Sequence, residues 1–240
     1  MFFSQPGSTL GSGTLNVVSQ ATAYAPAHPT DAQYVENVMW SQKDIVFVTI
    51  NLPGGSNNDA DPWYGAPSAS QAQADERANR TGADIRWLDA AFAQAAAQHA
   101  KGVVIATQAD MWDLDGKTPA HLTNYEPIIS EIASLTTAFG RPVLLFNGDS
   151  HVYRSDNPLS PTAPCTGDID PATGVSVCAE STAWDVHPFY NVPNFHRIVV
   201  HGSTFPLEWL KLTIDPNANY KTTATTFGPF AWQRMPQPQL

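Results

Sequence analysis

Basic residues are scarce in this chain of 240 residues: 12 Lys and Arg stand against 22 Asp and Glu, a formal net charge of −10, and the few cations are scattered rather than clustered. Binding a phosphate backbone needs a positive face, so nucleic acid is excluded as an expected partner. Such a surface can still handle anionic groups where bound cations invert the local field. Long hydrophobic runs are missing too, none approaching the roughly 20 residues of a membrane helix, so no membrane partner is expected. The opening Met1-Phe-Phe-Ser-Gln-Pro-Gly7 has neither the basic n-region nor the apolar h-region of a signal peptide. The chain therefore reads as soluble, and as the mature or a later part of a protein exported to a periplasmic or secreted location.

Cysteine is nearly absent. Cys165 and Cys178 bracket a polar segment rich in Asp, Thr, Gly and Pro. Two readings stand: a disulfide worth about 3 kcal/mol in the chain-entropy model, implying an oxidising compartment, or two free thiols in a surface loop. Charged residues make up only 14% of the chain and hydrophobic ones 42%, enough to bury a full core, so one domain over 1–240 is expected.

Residues 1–43 carry much Pro, Gly, Ser and Ala without sustained periodicity and read as an extended amino-terminal segment, with one short strand at Leu15–Val18. Asp44–Asn51 is a β-branched, aromatic run closed by Pro53-Gly-Gly55, hence a strand and a turn. From about Ser68 to Ala100, Ile85, Leu88, Phe92 and Ala95 fall on one face at helical spacing. Gly102–Gln108 reads as a second strand, Pro127–Phe139 as a second helix with Gly140 as its C-cap, and Pro142–Asn147 as a third strand. This order calls for an α/β fold with a mostly parallel sheet whose strand ends share one edge. Residues 152–193 form a long loop excursion, of the kind that covers a cleft. Phe195–His201, Leu207–Ile214 and Phe227–Arg234 follow without helices, which predicts an antiparallel second layer.

Chemistry is expected where strands end. The first strand runs into Gly54-Gly-Ser-Asn-Asn-Asp59, the second into Gln108-Ala-Asp-Met-Trp112, the third into Gly148-Asp-Ser-His151. Their amide, carboxylate and imidazole groups suit a hard or borderline divalent cation. Each loop also has a plain alternative: an Asn-rich turn, a polar sheet edge packed by Trp112, and an Asp-capped turn with a surface His. Ser150 lacks the Gly-x-Ser-x-Gly elbow, and no Gly-rich phosphate loop with Lys follows a strand, so serine-hydrolase and nucleotide-triphosphatase readings fall away. His196 and His201 alternate with apolar residues on an expected strand, and structure explains them best.

The order of loops and strands from about Asp44 to Ile214 resembles the carboxyl-terminal part of the calcineurin-like metallophosphoesterases. The resemblance implies a layered α/β/β/α sandwich, incomplete at the N-terminus because the family's opening Asp-x-His and Gly-Asp motifs do not occur before Asp44. It implies that Asn57, Gln108, Asp149 and His151 are metal ligands, that Asn58 stands where the family has its catalytic His, and that His151 belongs to the catalytic set as well. Only Asn57 and His151 keep the family's residue type. Asp110 and His187 are the substrate-binding candidates, His187 having an ordinary backbone-bonded loop His as its alternative. The implied activity is metal-dependent hydrolysis of a small phosphate mono- or diester with Mn, Fe or Zn, weak or lost if the missing ligands are truly gone. The alternative is a non-catalytic binding or assembly protein that keeps the sandwich. A truncated sheet would expose an edge and favour a homodimer.

Overall fold

The computed structural model describes residues 15–58, 62–114, 119–160, 162–179, 187, 190–202 and 208–236. Eleven strands lie among them: β1 (Val18–Ser19), β2 (Val38–Gln42), β3 (Ile45–Thr49), β4 (Gly102–Ala106), β5 (Val143–Asn147), β6 (Arg154–Asp156), β7 (Thr166–Gly167), β8 (Phe195–Val199), β9 (Glu208–Ile214), β10 (Thr226–Phe227) and β11 (Phe230–Pro236). The first eight form one mixed sheet in the order β1-β2-β3-β4-β5-β8-β6-β7, and the last three a small antiparallel sheet, β10-β11-β9.

The fold is α/β, built on four parallel strands, β3, β4, β5 and β8. Alternation within the strands decides which layer each side chain enters. Val46, Val48, Val103, Ile105, Val143 and Leu145 pack against one helical layer, while Ile45, Val104, Leu144 and Ile198 pack against Phe227, Phe230 and Trp232 of the small sheet. The described residues thus stack as helices, large sheet and small sheet, and no second helical layer occurs among them.

The long helix, Gln71–Ala97, starts where Ser70 accepts a hydrogen bond from the Gln73 amide and buries Trp87, Leu88, Ala91, Phe92 and Ala95. The second helix, Glu126–Phe139, buries Ile128, Ile129 and Ile132 and ends at Gly140 in the left-handed conformation expected of its cap. No described helix is long and apolar enough to cross a membrane.

Three expectations need correction. Phe195–Val199 does not join the antiparallel layer: it is β8, inserted parallel to β5 and antiparallel to β6. A parallel pairing needs a long crossover, and the span from 148 to 194 supplies it without a described helix. The 152–193 excursion itself contains β6 and β7. The amino-terminal segment is not extended coil throughout: Gln20–Ala23 and Pro29–Gln33 are helical turns, and β2 closes a hairpin with β3 across Lys43 and Asp44. Both have positive φ, 50° and 57°, as a two-residue primed turn requires. Cys165 and Cys178 are disulfide-bonded.

Candidate functional site at the strand-end rim

The loops after β3, β4 and β5 do meet. The Ala109 amide donates to Leu52 O at 3.0 Å and the Gly148 amide to Gln108 O at 3.1 Å, so backbone bonds lace the three together. Side chains continue the lacing. Gln108 Oε1 accepts from the Gly54 amide at 2.5 Å, and its Nε2 donates to Asp149 Oδ1 at 2.8 Å. Asp149 Oδ2 accepts from the Asp110 amide at 3.3 Å. Gly54 is required here, because a Cβ on it would lie 2.6 Å from Asp149 Oδ2.

The rim backbone is mostly left-handed. Gly55, Ser56, Asn57 and Asn58 turn one after another with φ near 60°, and Asp149 and His151 have φ of 74° and 64°. Gly55 does so freely, whereas the five non-glycine residues cost on the order of 1–3 kcal/mol each, and such positions concentrate where surrounding structure and function hold them. Tyr125 braces the turn by donating to Pro53 O at 3.1 Å.

Behind the rim stands a buried ion chain that no sequence motif announced. Arg197 on β8, fully enclosed, donates from Nη1 to Asp110 Oδ1 at 2.6 Å and from Nε and Nη2 to both oxygens of Asp156, each at 2.8 Å. Its guanidinium lies 5.0 Å over the Trp112 ring. Burial pulls the Asp156 carboxyl upward, but Arg197 and Arg154 outweigh it and hold the group below the usual carboxylate range. Burial lowers Arg197, and Asp110 and Asp156 more than reverse this. The available signal was an Arg flanked by Phe195, Ile198 and Val199 in an apolar strand, since a buried cation demands carboxylate partners.

The Asn57 amide takes a different direction from Asp149. Asn57 Oδ1 accepts from Arg80 Nη1, and Nδ2 donates to Thr81 Oγ1 at 2.9 Å and Asn124 O at 3.3 Å. Asn58 likewise bonds Glu76 and the Trp63 indole, both at 3.3 Å. These side chains fasten the left-handed turn to the long helix. His151 packs on the segment after β8, where a Cβ on Gly202 would lie 2.2 Å from its ring.

Asp110 is engaged by Arg197 and by the Ser150 hydroxyl, which donates to its Oδ2 at 2.9 Å. His187 is buried, with Nδ1 2.8 Å from Glu126 Oε2 and Nε2 2.8 Å from Met111 O, which ties it to the second helix and to the loop after β4.

No family model, curated protein or solved structure matches this chain. The assignment of chemistry therefore rests on the geometry itself. Among the described residues no group of three or more His, Cys, Asp or Glu is arranged to hold a metal ion. Asp149 is the rim carboxylate whose described partners are an amide side chain and a backbone N–H rather than a cation.

A cavity of about 490 Å³ opens elsewhere, on the small-sheet side, between Phe146, Tyr153, Val200 and the inner face of β9. At its border His201 bridges Asp168 at 3.2 Å and Glu208 at 3.1 Å, and Arg234 pairs with the same two carboxylates. His196, on β8, is held structurally: it packs between Phe227 and Trp232 and meets Ser155 Oγ at 2.9 Å, whereas His201 lies two residues past the end of that strand rather than on it.

Proposed function

We propose that the chain is a metallophosphoesterase-like hydrolase of small phosphate mono- or diesters that works at the strand-end rim with a divalent cation, Mn, Fe or Zn, and that its turnover is weak. The carrying observation is the convergence of three strand-end loops, left-handed at the rim, around the Asp149 carboxylate. Strained backbone and a carboxylate with no cation partner among the described residues, at one edge of a parallel run of strands, are the features expected of a ligand site. The described donors do not fit a complete two-metal centre, because the Asn57 amide is turned to Arg80 and no group of three His, Cys, Asp or Glu converges among the described residues. The test is metal analysis of the purified chain together with nitrophenyl phosphate hydrolysis in added Mn²⁺, Zn²⁺ or Fe²⁺. Metal-dependent turnover supports the reading; neither metal nor turnover removes it.

The second reading, a non-catalytic binding or assembly protein, draws on the same inward-facing Asn57 and Asn58 amides. It expects an Asp149→Ala/His151→Ala double variant to match the parent in binding and stability. Two further parts of the proposal have their own supports. The disulfide favours an oxidising, exported setting. The outer edge of β9 favours a homodimer, which a strictly monomeric mass in light scattering would contradict.

A further inference from the structure

The amino-terminal arm, residues 15–42, is fastened to the long helix by a buried polar cluster rather than by apolar packing alone. Gln20, Asp31, Asn37 and Asp84 are all 2% exposed or less. Gln20 Nε2 donates to Ala83 O at 2.8 Å, and Asn37 Nδ2 donates to Gln20 Oε1 and to Asp84 Oδ1, both at 2.8 Å. Asn37 Oδ1 in turn accepts from the Asn51 amide at 2.7 Å, next to the rim turn. The nearby cations are engaged elsewhere: Arg86 holds both oxygens of Asp31, and Arg80 holds Glu76 and Asn57. Asp84 Oδ2 is buried without a hydrogen-bond partner.

We propose that Asp84 is a pH-sensitive clasp for the amino-terminal arm: neutral, it holds the arm through Asn37, and the loss of its proton drives the arm to open. An ionised carboxylate with one oxygen unbonded and no ion-pair partner among the described residues cannot stay in so buried a site at low cost. Burial lifts the Asp84 carboxyl to about 8, with Asn37, Arg80 and the Asn51 amide giving partial relief and Glu36 adding to the rise. The other groups facing the cluster do not set this window. Burial, with Glu76 next, pushes Tyr34 up to about 12, so it stays neutral. Burial raises Glu76, but Arg80 outweighs it and holds the group below its ordinary value, so it stays ionised. Asp31 is held by Arg86.

The sign follows from linkage. Between the ordinary value of 3.8 and about 8, the closed arm keeps a proton that the open arm releases. Closure is therefore tightest below the ordinary carboxylate range, weakens about tenfold per pH unit across the interval, and levels off above it. Because Asn37 also holds Asn51, opening would reach the rim as well as the arm, whatever chemistry the rim performs.

Hydrogen exchange of the full chain, with each rate corrected for its intrinsic pH dependence, reads the device directly. Protection of the Gln20, Tyr34 and Asn51 amides is expected to fall by about 100-fold from pH 5 to pH 7, and to become flat in Asp84→Asn. A flat wild-type profile, or the same slope in the variant, overturns the proposal. Should the variant not fold, a carboxyl-carbon NMR titration of the wild type decides alone. An Asp84 midpoint well above the usual carboxylate range upholds the clasp, and one near 3.8 overturns it.

Discussion

Asp156 and Asp84 are both buried carboxyls, and they have opposite proton chemistry. Asp156 shares a fully enclosed site with Arg197 and has Arg154 beside it, and its charge is held in place. Asp84 has the Asn37 amide on one oxygen and no hydrogen-bond partner on the other, and its charge is suppressed. Depth alone therefore says nothing about ionisation: the partner decides, because burial penalises the charged form in both places, and at Asp156 two guanidinium groups outweigh that penalty while at Asp84 the hydrogen bonds and the more distant Arg80 do not.

Removing the partner is the harshest way to break the contrast. Arg197→Met should leave Asp110 without its cation and Asp156 with Arg154 alone, and cost about 3–5 kcal/mol in denaturant unfolding. A loss under about 1 kcal/mol would show that the chain of ions is dispensable. Abolishing the charge at the other site should do the reverse. Asp84→Asn is expected to be more stable than the parent at pH 7 by on the order of a few kcal/mol, each tenfold of proton affinity being about 1.4 kcal/mol. The sign comes from the folded parent holding a proton that its unfolded chain gives up, so the advantage must vanish as pH falls below 3.8. Unfolding free energies across pH would check both statements, and a variant less stable than the parent at pH 7 would refute them.

Asp149 sharpens the comparison as a third case, a rim carboxylate held by neutral donors. Gly54→Ala places a methyl against its carboxyl and should break the Gln108–Asp149 bond, costing about 1–3 kcal/mol by overpacking and abolishing any metal-stimulated hydrolysis. Unchanged stability and unchanged turnover would show that the rim geometry is irrelevant. The smallest effect is expected at the surface, where Arg234→Ala loses pairs with Asp168 and Glu208 worth about 0.2–1 kcal/mol and shrinking with salt.

Much of the scaffold was legible because burial periodicity writes it directly. The runs around Val46, Val104 and Leu144 and the Ile128–Ile132 stripe each lie within one or two residues of the observed elements. β2 was missed because Trp40-Ser-Gln42 is polar at its end and lies on half-exposed sheet. β8 was put in the wrong layer because a strand run does not show which neighbour it will choose. At the site, the meeting of the three loops followed from parallel strands ending together. The direction of each side chain did not: Asn57 turns away because Arg80 and Thr81, more than twenty residues later in the chain, offer better partners than the rim. Arg197 and Asp84 went unread for the same reason, their partners lying far off in sequence.

The position of β8 between β5 and β6 also constrains how the chain can be assembled. As the polypeptide leaves the ribosome, β6 and β7 emerge before the strand that must separate them from the sheet. They cannot take their final places until residue 199 is free, so the disulfide loop is oxidised either beforehand, as an independent hairpin, or only after translation has passed this point.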